Sequence, residues 1–186
     1  MTIFKPLRGA EFGLRDNLET FFTQDYPAPV QIVFGVRDKG DPAVQVVREL
    51  EEKYPHSRTV IVTNPAQHGA NAKVSNLINM YRAARHDVLV LSDSDIAVLP
   101  NWLQEVMDTL DEPGVGLVTC LYTGQAQSQH WWLWPALSAM GMTYGFLPNV
   151  VLATSLGLAT PCLGSTLALK RVRCPKDTAR HGRQDG

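Results

Sequence analysis

The sequence predicts an α/β protein in one layered domain, with a mostly parallel sheet and helices on both faces. Three observations carry this. Short apolar, β-branched runs alternate with stretches of helical spacing along the first two thirds of the chain. Strands and helices alternating at this length are the pattern of crossover-connected parallel strands. The third observation is bulk: 186 residues, 45% of them hydrophobic, are enough for one domain with a real core.

The elements follow in order. "TIFKPL" reads as a short strand, and "NLETFFTQDYP" as a helix closed by Pro27. "VQIVFGV", Val30 to Val36, is β-branched and apolar, as an interior strand requires. "DPAVQVVRELEEKYP" starts a helix with Asp41 as N-cap and Pro42 at the first helical position. Val44, Val47 and Leu50 then fall at helical spacing. "RTVIVT" is the next strand, "ANAKVSNLINMYRAAR" a helix, "DVLVLSD" a strand, "PNWLQEVMDTL" a helix and "GVGLVTCLY" a strand. No residue from Trp131 to Leu169 is charged, and the stretch opens "WWLWPALSAMGM". Pro135, Pro148 and Pro161 interrupt it, so it reads as buried core with a segment at a membrane interface, or equally as all interior of a soluble domain, rather than as a clean spanning helix. Residues 172–186 are polar, basic and aperiodic and read as a disordered tail, leaving 1–171 as the folded domain.

A net charge of −1 gives no electrostatic case for a nucleic-acid partner. Cys120, Cys162 and Cys174 are widely spaced, which disfavours zinc and a disulfide framework and suits a reducing cytosolic setting. The N-terminus has no long apolar run of the signal-peptide kind. No G-x-G-x-x-G and no P-loop motif is present.

The chemistry is expected at the carboxyl ends of the strands, where open α/β sheets bind ligands. Asp38 and Asp41 follow the second strand, and Asp93 and Asp95 follow "VLVL". Burying unpaired carboxylates costs several kcal/mol, so water, a basic partner or a metal must compensate. If the segment stays extended, residues two apart point to one side, and Asp93 and Asp95 could share one ion. Oxygen ligands at a strand end suit Mg²⁺ or Mn²⁺ held jointly with a phosphate-bearing substrate. The competing reading makes these aspartates turn caps. Asn71, Lys73 and Asn76 cluster near a helix start, where a diphosphate or a base could be held; an ordinary amphipathic helix with a solvated lysine is the alternative.

Seven segments in order, "KPLRG", "NLETFFTQDYP", "DPA", "KYP", "NAKVSNL", "LVLSDSDIAV" and "GVGLVTCLY", resemble ceramide glucosyltransferase-like proteins of glycosyltransferase family 2, including relatives assigned to hopanoid biosynthesis. The likeness covers Ile3 to about Arg171. It implies a GT-A fold, a UDP-sugar donor, a divalent metal (Mn²⁺ or Mg²⁺), a membrane lipid acceptor and inversion at the anomeric carbon. Position by position, Asp38 matches the aspartate on the uracil or ribose side of UDP, and Asp93 the aspartate serving metal and diphosphate. Asp95 stands where ceramide enzymes carry glycine. Asn71 and Lys73 match the family's N-x-K segment, and "CLGSTLALKR", with Gly164 and Ser165 at its turn, the segment before the acceptor region.

Family members also have a transmembrane helix before "KPLRG". Beyond "LALKR" they continue to an E-D pair holding the catalytic base, then a Q-x-x-R-W motif. None of these features is found here, so the sequence reads as a donor-binding portion, truncated or frame-shifted near Arg171, with no catalytic base assigned. The expected reaction moves glucose or N-acetylglucosamine from UDP to a ceramide or hopanoid-type alcohol at the cytoplasmic face of a membrane. A non-catalytic UDP-sugar-binding remnant is the rival. A nucleotidyltransferase is disfavoured because the Gly-rich, basic N-terminal loop it requires is absent.

Overall fold

The computed structural model describes residues 1–124, 137 and 139–171. The elements are β1 (Thr2–Pro6), α1 (Leu14–Phe22), β2 (Gln31–Val36), α2 (Pro42–Lys53), β3 (Arg58–Thr63), α3 (Ala72–Tyr81), β4 (Val88–Ser92), α4 (Trp102–Leu110) and β5 (Leu117–Thr119). A π-helical stretch, Gly141–Phe146, then runs into α5 (Leu147–Ser155), and β6 (Thr166–Lys170) follows.

The strands form one sheet in the order β3-β2-β1-β4-β6-β5. β1 pairs in parallel with β2 and β4, and β2 with β3, whereas β6 lies antiparallel between β4 and β5. The strand order reverses at β1: β2 and β3 extend to one side and β4 begins the other. The crevice between the carboxyl ends of β1 and β4 is therefore the topological switch point, the usual ligand position in such sheets.

Side-chain alternation sorts the strands onto two faces. Ile3, Phe34 and Val90 pack in the larger core with Leu18 of α1, Leu50 of α2 and Leu103 of α4, all fully buried. Each such side chain contributes about 1.5–3 kcal/mol relative to exposure. Phe4, Val33 and Leu89 point the other way, against Met80 of α3. Gly35 lets α3 lie close: a Cβ there would collide with Met80 Sδ and Asn76 Oδ1.

α2 starts as its sequence dictates. Asp41 Oδ1 accepts the Ala43 N–H at 2.9 Å and Pro42 occupies the first turn. α1 begins three residues before the expected Asn17, because the buried stripe of Leu14, Leu18 and Phe21 starts at Leu14. It ends at Phe22, short of Pro27. α3 stops at Tyr81 rather than Arg85.

Two expectations need correction. The run predicted as buried core contains β6, a strand the sequence reading did not separate from it. In the rest of its described part, neither Gly141–Phe146 nor α5 has a buried residue; Tyr144 is 75% exposed and Leu158 77%. Apolar composition fixes a preference for leaving water but not the surface that meets it. The "WWLWP" opening and the polar tail 172–186 lie outside the described residues.

Candidate donor-binding site

The site is built around Asp93, the first residue beyond β4. Each of its polar groups is tied. Its N–H donates to the Ser165 carbonyl at 3.0 Å, and its carbonyl accepts from Lys5 Nζ at 2.5 Å. Its carboxylate Oδ1 pairs with Lys73 Nζ at 2.5 Å. Lys73 Nζ also donates to the Gly164 carbonyl at 3.0 Å, so the start of α3 is tied to the turn before β6. Asn71 caps α3, its Oδ1 accepting the Val74 N–H at 3.1 Å. Lys73, Asp93, Gly164 and Ser165 are thus joined at one strand end, and Asn71 caps the helix that carries Lys73.

Asp95 is placed differently. The chain leaves the strand at Ser92 and turns, with the Ile96 N–H reaching the Asp93 carbonyl at 3.4 Å. Asp95 is exposed in that turn. The extended geometry that would aim both carboxylates to one side does not hold, since the turn breaks the alternation at Asp93. Asp38 is exposed beyond β2, its Oδ1 accepting the Gly40 N–H at 2.9 Å. With β1 between β2 and β4, Asp38 and Asp93 stand about 10 Å apart in strand spacing. Asp41 does more than cap α2: both its oxygens accept the Gly9 N–H, at 2.9 and 3.1 Å, pinning the loop after β1. Gly9 takes φ +71°, the left-handed region open to glycine.

The sequence reading gave no role to Lys5. It is fully buried, and its Nζ donates to Ser92 Oγ at 3.2 Å as well as to Asp93. Nζ also sits 3.6 Å from the centroid of the Phe21 ring. Burial pushes the Lys5 ammonium well below the usual lysine range, while the charges of Asp93 and Asp95 pull it back up. The sequence marks it only as a lysine that interrupts the apolar strand "TIFKPL", without showing what it reaches.

Lys73 therefore compensates the Asp93 carboxylate and water reaches the exposed Asp95, which answers the cost of carboxylates at a core strand end. Among the described residues, no group of three or more His, Cys, Asp or Glu could enclose a metal. The donor chemistry nonetheless fits Mg²⁺ or Mn²⁺, which bind through one or two carboxylates completed by substrate phosphates rather than in an all-protein cage.

The sequence profile of glycosyl transferase family 21 matches residues 1–175. The chain belongs to glycosyl transferase family 21. This is the ceramide glucosyltransferase likeness seen in the motifs, under a different family number from the 2 they suggested. The family 21 chain is 34% identical over 110 residues to ceramide glucosyltransferase 1 of Caenorhabditis elegans, covering 59% of this chain and 23% of the relative. To the ceramide glucosyltransferase of Komagataella phaffii it is 33% identical over 115 residues, covering 60% and 22%. The match thus spans under a quarter of the length of these relatives.

Among solved structures, the mannosyltransferase of Pyrobaculum calidifontis in complex with GDP-Man and Mn²⁺ superposes with a TM-score of 0.64 at 23% identity, covering 91% of this chain and 44% of that one. Glucosyl-3-phosphoglycerate synthase of Mycobacterium tuberculosis, with Mn²⁺ and UDP-glucose, gives 0.54 at 16% identity, covering 91% and 55%. The family 21 chain therefore has the GT-A fold expected from its sequence.

Proposed function

We propose that this chain binds the donor in a glycosyl transfer from a UDP-sugar, carrying glucose or N-acetylglucosamine, to a membrane lipid hydroxyl with inversion. The observation that carries the proposal is the placing of Asp93 at the topological switch point, with the Lys73 ammonium on its carboxylate. Asp38, about two strand spacings away, would take the uridine side. Lys73 and the N-terminal turn of α3 would meet the diphosphate.

Asp93 would hold Mg²⁺ or Mn²⁺, with Asp95 in the exposed turn that follows it. When bound, the ion would act as a Lewis acid on the departing diphosphate. The chain's own residues orient the donor. Lys73 is already within reach of the Asp93 carboxylate and can exchange that partner for a phosphate oxygen.

Support for a lipid acceptor comes from topology. β5 runs parallel to β4, because both are antiparallel to β6. The excursion between β5 and β6 therefore leaves and returns at the carboxyl edge of the sheet, beside Asp93. It carries no charged residue from 131 to 169. Val151, Leu152, Leu156 and Leu158 are exposed on it. That surface suits contact with a membrane interface, on its cytoplasmic face, where a ceramide or hopanoid-type alcohol would be met. No described helix is long and apolar enough to cross a membrane.

Calorimetric titration of UDP with and without Mn²⁺ tests the donor site. Binding enhanced by Mn²⁺ is expected in the unaltered chain and lost in Asp93→Asn. Undiminished Mn²⁺-dependent binding in the variant would remove Asp93 from the site.

A further inference from the structure

A lysine sealed inside a core strand is expensive to keep. An apolar side chain of similar length fills the same space without the desolvation cost, and replacing buried charges in that way is often neutral or stabilising. Lys5 is fully buried nonetheless. Its polar contacts both go to one place, the carboxyl end of β4: Ser92 Oγ at 3.2 Å and the Asp93 carbonyl at 2.5 Å. The Phe21 ring covers the ammonium on the core side.

The Asp93 contact sits at a branching point. That carbonyl also receives the Ile96 N–H, which opens the turn carrying Asp95. The Asp93 N–H is held by Ser165 and its carboxylate by Lys73. Without Lys5, the carbonyl would keep only the long 3.4 Å contact from Ile96. The peptide that sets the direction of Asp93 and the origin of the Asp95 turn would then be free to rotate.

We propose that Lys5 is a positioning residue of the donor site, anchoring the Asp93 carbonyl from beneath so that the Asp93 carboxylate and the Asp95 turn are presented to metal and diphosphate. The inference rests on the donor-site reading above. Groups that orient a ligating residue from behind commonly cost about 10–100-fold in metal affinity or activity when removed.

The experiment compares the unaltered chain with Lys5→Met, whose side chain fills the same volume. UDP binding is measured with and without Mn²⁺, and the melting temperature is recorded for both proteins. The expected result is a loss of about tenfold or more in the Mn²⁺ enhancement. UDP binding without metal should stay within about twofold, since a residue acting through Asp93 moves only the metal-dependent part. An unchanged enhancement would overturn the inference, and so would equal losses with and without Mn²⁺, which would mark Lys5 as merely structural. No Mn²⁺ enhancement in the unaltered chain would bring down the donor-site reading itself, and this inference with it. Should Lys5→Met fail to fold, the unaltered chain decides by nuclear magnetic resonance. Saturation with Mg²⁺ and UDP should shift the Lys5 Cε resonance and leave that of exposed Lys39 in place. A Lys5 resonance that does not move would overturn the proposal.

Discussion

Glu19 and Asp93 show two ways in which a carboxylate is held in this chain. Glu19 Oε1 accepts hydrogen bonds from Lys53 Nζ and, at 2.5 Å, from Tyr54 Oη, tying α1 to the end of α2. The Lys53 hydrogen bond, then that of Tyr54, holds the Glu19 carboxyl below its usual 4.5. A folded pKa below the unfolded one means the folded state binds fewer protons in between. The stabilisation is then present above about pH 4.5 and lost as the pH falls through the lowered folded value. The melting temperature of the unaltered chain should exceed that of Glu19→Gln near pH 6, with the gap closing towards pH 3. A gap that stays constant over that range would contradict the assignment. Because the pair is solvent-accessible, 0.5 M salt should shrink the gap as well. Asp93 is held from below and from the side. Of its partners, Lys73 was marked in the sequence by the N-x-K resemblance; by itself it reads equally as a solvated lysine on an amphipathic helix. Lys5 was not, because sequence pattern reads a lysine in a short strand as an interruption; only the neighbouring strand shows what it reaches.

At the scale of elements, α3 brings the lysine side of the site to Asp93. It carries Lys73 at its start and Met80 in the core, and it lies over Gly35 of β2, whose carbonyl accepts from Asn76 Nδ2 at 2.8 Å. Gly35→Ala would drive a methyl group into Met80 and Asn76, both buried, and α3 must shift outward to admit it. The expected cost is about 1–3 kcal/mol in urea denaturation, typical of overpacking. Metal-dependent UDP binding should weaken along with it, since Lys73 moves away from Asp93. Unfolding indistinguishable from the unaltered chain would show that the helix does not depend on this close approach. α2 and the strands β1 to β4 were legible because their signals are local: a cap, a proline, a run of β-branched residues. β6 was not, because "TLALK" differs little from the apolar residues around it and its place between β4 and β5 is decided by a partner more than 70 residues earlier. The same holds for the Asp93 turn, where an extended continuation and a turn are equally compatible with "SDSD".

For the whole molecule, the polarity of the sheet brings an apolar surface and a polar site to one edge. The four parallel strands deliver Asp38, Asp93 and the α3 start to their carboxyl ends, and the β5–β6 excursion emerges there. Its described helices bury none of their side chains, although Leu152 and Leu156 are 56% and 63% exposed. If this surface meets a membrane, binding should be apolar in origin. The excursion is uncharged and the chain carries a net charge of −1, so anionic lipid has little to attract. Co-sedimentation with phosphatidylcholine vesicles should accordingly match that with vesicles containing anionic lipid, and 0.5 M NaCl should not release the protein. Leu152→Glu with Leu156→Glu should reduce the bound fraction about tenfold or more, because each exposed leucine gains about 1.5–3 kcal/mol on full burial and a carboxylate opposes it. Both positions face solvent, so the double variant should melt within a few degrees of the unaltered chain, which separates lost binding from lost folding. Vesicle binding that disappears in salt, or survives both glutamates, would place the lipid contact on a charged surface elsewhere and leave the excursion to pack against protein.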